Sequence, residues 1–158
     1  MITLFTVCNT AFFISEEDLS TLSEYRFYLN YNKKTGHKYI DAYSNGKKKL
    51  LHKILCPNFP YIDHKDGNGL NNIRENLRGC SQRQNMHNAK SHKRSGYKGI
   101  SFDSTRNKWA ASIRSGGKNL FLGRFSSELE AATVYNKAAE KIQGEFAYHL
   151  SRRETLGA

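Results

Sequence analysis

The sequence predicts an α+β fold. Short alternating apolar runs recur along it, turn-forming Gly, Asn and Asp clusters separate them, and helix signals are confined to a few short stretches. At 158 residues, with 38% hydrophobic content and nine each of Tyr and Phe, the chain can fill one modest core or two small ones.

The elements follow in order. ISEEDLSTL carries Ser15 and three acids at its start, which suits one short helix. RFYLN, HKYIDAY and KKLLHKIL read as strands of a small antiparallel platform within residues 1–55. Asn45-Gly46 between the last two marks a hairpin turn, because both central positions need positive φ. YIDH is a strand with Tyr61 and Asp63 on one side and Ile62 and His64 on the other. KDGNGLNN is turn-forming, IRENLRGC supplies a second strand, and Ser81 caps a two-turn helix, QRQNMHNA.

A separate module spans 96–150. YKGISFD, NKWAASIR and KNLFLGRF are three strands, and in the middle one Trp109, Ala111 and Ile113 face opposite to Lys108, Ala110, Ser112 and Arg114. Ser127 and Glu130 have capping-box spacing for a closing helix, whose stripe Ala131, Tyr135, Ala138 and Ile142 covers the Trp109/Ile113 face. The other face carries its cations either to water or into a DNA groove. The expected divisions are 1–90, a linker at 91–95, the module at 96–150 and a basic tail at 151–158.

The net charge of +11 calls for a polyanionic partner. No acid occurs from Asn76 through Phe102, while Arg78, Arg83, Lys90, Lys93, Arg94 and Lys98 do. The run Lys47, Lys48 and Lys49 reads either as a DNA contact or as a solvated hairpin tip. The opening is apolar only briefly and lacks a basic leader, so no membrane association and a cytoplasmic location are expected. Cys8, Cys56 and Cys80 are scattered, without a C-x-x-C pair, and read as small buried or half-buried thiols.

Residues 61–85 concentrate the chemistry. An Asp carboxylate and an Asn carbonyl are hard-cation ligands, and an imidazole is a base near neutral pH. Asp63, His64 and Asn85 could combine these if the strands and helix fold back together.

LHKIL at 51–55 followed by YIDHKDGNGLNNIRENLRGCSQRQN resembles the HNH endonucleases, in particular the phage and intron-associated homing enzymes. The resemblance implies a ββα-metal motif in which Asp63 is a ligand, His64 the general base, Asn76 the orienting Asn and Asn85 the second ligand. The last letter of the motif is Asn here. It further implies hydrolysis of double-stranded DNA with Mg²⁺ (or Mn²⁺), without an organic cofactor, by a phage-encoded protein acting in its host cell. Arg78 or Arg83 would steady a neighbouring phosphate. His52 beside the motif reads equally as a phosphate contact or as a packing residue. The competing reading is a DNA-binding regulator without nuclease activity, and monomer and homodimer stay open.

The 96–150 module resembles the AP2 DNA-binding domain, whose three-stranded sheet enters the major groove. That resemblance implies contacts from Lys98, Ser101, Asp103, Lys108, Ser112, Arg114, Phe121, Arg124 and Tyr135. Ser101 and Asp103 stand where arginines are typical, which detaches this chain's target from that of the plant factors; Arg106 or Lys118 would compensate.

Overall fold

Apolar alternation begins at the second residue. In the computed structural model, which describes residues 1–87 and 97–147, β1 (Ile2–Phe5) and β2 (Ala11–Ile14) form an antiparallel hairpin. Phe12 and Ile14 point inward and are fully buried. The expected helix at ISEEDL shrinks to a single 3-10 turn, Glu16–Asp18. Its would-be cap, Ser15, instead accepts a hydrogen bond from the backbone N–H of Arg74 (2.8 Å). The Arg74 guanidinium also satisfies the fully buried Asp18 carboxylate. Long-range pairing thus takes over groups that a local helix start would have used.

The second sheet has the order β3-β4-β5, with β3 (Arg26–Tyr31), β4 (Lys38–Ser44) and β5 (Lys47–Leu50) all antiparallel. Asn45 (φ 50°) and Gly46 (φ 71°) make the turn that their sequence announces. The strand expected through KKLLHKIL ends at Leu50, and Leu51–Leu55 turns into helix α1. Leu51 and Leu55 enter the core beside Ile40, so His52 sits on a helix, not on a strand as expected.

Next come β6 (Tyr61–His64), β7 (Asn71–Asn72), a 3-10 turn at Arg74–Asn76, β8 (Leu77–Cys80) and helix α2 (Gln82–His87). β6 and β8 pair antiparallel, with Asp63 opposite Arg78 and His64 opposite Leu77. β7 lies parallel to β2, so the N-terminal part is not purely antiparallel. Ser81 and Gln84 form a reciprocal capping box: the Gln84 N–H donates to Ser81 Oγ (3.2 Å) and the Ser81 N–H to Gln84 Oε1 (2.8 Å). One core of Phe12, Ile14, Leu22, Ile40, Leu51, Leu55, Ile62 and Leu77 underlies these pieces.

The chain divides into two compact units, Met1–Asn85 and Met86–Ala158. In the second, β9 (Ile100–Asp103), β10 (Lys108–Ser115) and β11 (Lys118–Phe125) form an antiparallel sheet of order β11-β10-β9, followed by α3 (Glu128–Gln143). Ser127 Oγ accepts from the Glu130 N–H at 3.1 Å, the expected cap. The buried helix stripe is Ala131, Ala132, Tyr135 and Ala139; Ile142 lies outside it, 38% exposed. Small alanines let α3 approach the Ala111/Ile113 face closely. The expected linker at 91–95 and tail at 151–158 lie outside the described residues. No described helix is long and apolar enough to cross a membrane. Cys56 is half-buried and Cys80 buried, as expected, but Cys8 is exposed.

Candidate active site

The site is built on the β6–β8 hairpin and the loop joining its strands. Burial is its first property: Asp63 and His64 are each only 5% exposed. Two polar side chains buried side by side need partners. Asp63 receives Arg78 from across the hairpin, Nε at 2.9 Å and Nη2 at 2.7 Å, both on Oδ2. Arg78 therefore holds the carboxylate in place, and its own side chain is 11% exposed. Truncating it would leave a buried carboxylate uncompensated. Arg78→Ala is expected to lower stability by about 3 kcal/mol in a chemical denaturation series.

His64 is held differently. Its Nε2 lies 3.2 Å from Oδ1 of Asn72, a fully buried residue at the end of β7. Asn72 Nδ2 donates to the Gly69 carbonyl (3.3 Å), which turns its oxygen toward the imidazole. Nε2 is therefore the protonated nitrogen, and the lone pair resides on Nδ1. Burial pushes the His64 pKa below its ordinary value, partly opposed by the Asn72 hydrogen bond and by Asp66 and Asp63. The ring is thus kept neutral, the form a base requires.

Two aromatic neighbours complete the enclosure. His52 on α1 packs edge-on to His64 with centroids 5.2 Å apart, and Tyr39 on β4 touches both rings, at 5.7 Å and 5.9 Å. His52 is itself buried, with its pKa lowered to about 3 by desolvation and then by His64 and Lys53.

Asn76 ties the connecting loop. Its Nδ2 donates to Asp66 Oδ1 (2.9 Å) and to the Asn71 carbonyl (2.7 Å), while its Oδ1 accepts from the Asp66 N–H (3.0 Å). Asp66 in turn accepts from Asn71 Nδ2 and from the Asn68 N–H, both at 2.8 Å. The loop that brings Asn72 back to His64 is fastened through this amide.

Asn85 and Arg83 lie exposed on α2. That helix starts two residues after β8, which ends at Cys80, a buried thiol. Burial is the main cause of that thiol's raised pKa. Among the described residues, no group of three or more His, Cys, Asp or Glu side chains is arranged to hold a metal. The residues expected to hold one are instead Asp63, a carboxylate, and Asn85, an amide. That set fits a hard divalent ion of the Mg²⁺ kind, which keeps several waters and completes its shell with phosphate.

The sequence pattern alone did not single out Asn72, Asp66 or Tyr39. KDGNGLNN was legible as a turn; its density of amide and acid groups was the signal that the turn is internally cross-linked.

In the second unit, Ser101, Asp103, Lys108, Ser112, Arg114, Phe121 and Arg124 share the sheet face away from α3. A β-bulge on β11, where Leu122 is the extra residue between Phe121 and Gly123 (φ 135°) opposite Ser112 and Ala111, makes this possible. Without it, Phe121 and Arg124 would point to opposite faces. Asp103 binds Arg124 (3.0 Å), which also lies 5.0 Å over the Phe121 ring; Arg106 stands 3.4 Å from the same carboxylate. Lys98 precedes β9 in a turn and is half-buried. Tyr135 departs from expectation: it is buried on α3 in the core, on the far side of the sheet from the contact face. Trp109 packs in the same core.

Over 148 residues, 88% of its length, the chain is 33% identical to a protein of Acanthamoeba polyphaga mimivirus described as an uncharacterized HNH endonuclease, and covers 74% of it. Over 89 residues it is 35% identical to protein 3.8 of Escherichia phage T7, covering 55% of the chain and 73% of that protein. No protein-family model matches, and neither does any solved structure.

Proposed function

Because the chain belongs to the HNH endonuclease family, we propose that it is a metal-dependent nuclease that hydrolyses phosphodiester bonds in double-stranded DNA, with His64 as general base. The observation that carries this is the buried Asp63–His64 pair, each member fixed by its own partner on the β6–β8 hairpin. In the proposed mechanism Nδ1 of His64 takes the proton from the attacking water, while Asn72 holds the opposite edge of the ring. Asn76 keeps the loop, and hence Asn72, in register. Asp63 and Asn85 would hold Mg²⁺ or Mn²⁺, which supplies positive charge against the phosphate and the departing 3′ oxygen. The products are a 5′-phosphate and a 3′-hydroxyl. Arg83, exposed on α2, would meet a neighbouring phosphate.

The second unit is read as an AP2-like reader. Its outer face offers Lys108, Arg114 and Arg124 to the major groove, with Ser112 and Phe121 between them. Separating reading from cutting lets a small active site serve a longer target. Duplex DNA should outcompete structured RNA, whose deep, narrow major groove does not admit a sheet.

One observation favours a second reading, a DNA-binding regulator without activity. Arg78 neutralises Asp63 as a purely structural ion pair would. Incubating purified protein with supercoiled plasmid separates the two. Nicked or linear product with Mg²⁺ or Mn²⁺, and none with EDTA, is the expected result; intact plasmid under every metal leaves the regulator.

A further inference from the structure

The β3-β4-β5 sheet has an outer face that neither the proposed chemistry nor the reader unit uses. Residues 26–49 contain seven cations, Arg26, Lys33, Lys34, Lys38, Lys47, Lys48 and Lys49, against one acid, Asp41. All seven cations are exposed. Cross-strand register then decides which of them stand together.

Arg26 is opposite Tyr43, and Tyr43 is opposite Lys48, so a cation, an aromatic ring and a second cation form one row across the three strands. Adjacent strands are ~4.8 Å apart, which separates the two cations by roughly 10 Å. Tyr28 stands diagonally beside Tyr43, their rings edge-to-face at 4.9 Å, and both are exposed. The single acid, Asp41, is buried, accepts from Asn30 Nδ2 at 3.2 Å and pairs with Lys48 at 3.4 Å, holding that ammonium in the row while leaving its side chain 52% exposed. Arg26 has no acid opposite it in the register.

The same face leads to the active site. Tyr39 is on the face of β4 that bears Asp41 and Tyr43, and its ring touches His64. From Tyr39 to Tyr43 is four residues, or ~13 Å along the strand, which matches about four base-pair steps of duplex.

We propose that this face is a second DNA-contact surface, on which Arg26 and Lys48 take phosphates of the duplex flanking the scissile bond while Tyr28 and Tyr43 pack against the backbone sugars. The proposal rests on the nuclease reading for its placement but not for its test. The surface lies within the unit that bears the Asp63–His64 pair, so it sets the duplex relative to that pair independently of the reader sheet. Exposed aromatic rings in a basic row serve an anion with apolar sugar edges better than they serve water.

The test measures binding of the full-length protein to a fluorescein-labelled duplex in EDTA, by anisotropy, between about 50 and 200 mM salt. Arg26→Gln/Lys48→Gln keeps a donor for Asp41 while removing both charges. It should weaken binding about tenfold and flatten the plot of log affinity against log salt by about 1.8, two phosphate contacts at ~0.9 each. Tyr28→Ser/Tyr43→Ser should weaken binding with the salt slope unchanged. The charge control Lys137→Gln/Lys141→Gln, exposed on α3, should leave the slope as it was. An unchanged slope in the Arg26/Lys48 variant overturns the proposal, and so does an equal flattening in the α3 control. Because no cleavage is read, failure of the nuclease assay and failure of this one are separate results.

Discussion

His64→Ala is expected to slow plasmid cleavage by about 10²- to 10⁴-fold, the range that a positioned general base contributes. In the proposed mechanism the ring takes the proton at Nδ1, with Asn72 engaging Nε2 from the other side. Asn72→Ala should therefore reproduce part of the loss without touching substrate, by releasing the ring from its orientation. DNA affinity measured in EDTA should be unchanged in the His64 variant, since the side chain is buried and makes no exposed charge. A variant that cuts at the wild-type rate would remove His64 as the base.

The second large effect is acid sensitivity. His52 is buried neutral, with its pKa lowered from 6.5 to about 3. A depressed histidine binds its proton in the unfolded chain before it does so in the folded one. Stability is then fully present above pH 6.5 and falls as pH drops toward 3. Between pH 6.5 and 5 this one group should cost about 1.6 kcal/mol, the slope rising toward about 1.36 kcal/mol per pH unit as the unfolded imidazole protonates. Most carboxylates titrate below that window, so the effect is separable from ordinary acid unfolding. Urea denaturation at the two pH values measures it. His52→Leu should flatten the dependence, and the lowered pKa of His64 retains one of the same sign.

The parts of the fold written in local signals were legible in the sequence. Asn45-Gly46 requires positive φ wherever it sits, Ser127 caps α3 through a short-range bond, and alternation in NKWAASIR separates the two sheet faces without further information. The parts decided by distant partners were not. ISEEDL has the composition of a helix start, yet Ser15 and Asp18 are claimed by Arg74, fifty-nine and fifty-six positions away. LHKIL continues an apolar run from β5, but burying Leu51 and Leu55 on one side needs helical spacing. The same distinction holds at the site. Asp63, His64 and Asn76 stand in a compact motif, whereas Asn72 gains its role from pairing with β2, and Tyr39 and His52 reach the ring from other elements. Tyr135 shows the converse error. A position carried over by resemblance lies in this chain's core, because the alanine-rich helix packs that ring against Gly99.

The central claim is that Asp63 and Asn85 share one divalent ion beside His64. It is tested most directly by anomalous scattering from Mn²⁺ in crystals of the protein bound to duplex DNA. The account predicts a single strong peak bonded to an Asp63 carboxylate oxygen and the Asn85 amide oxygen, with a phosphate oxygen completing the contact. A peak elsewhere, or Asp63 still closed against Arg78 with no ion beside it, would contradict the account.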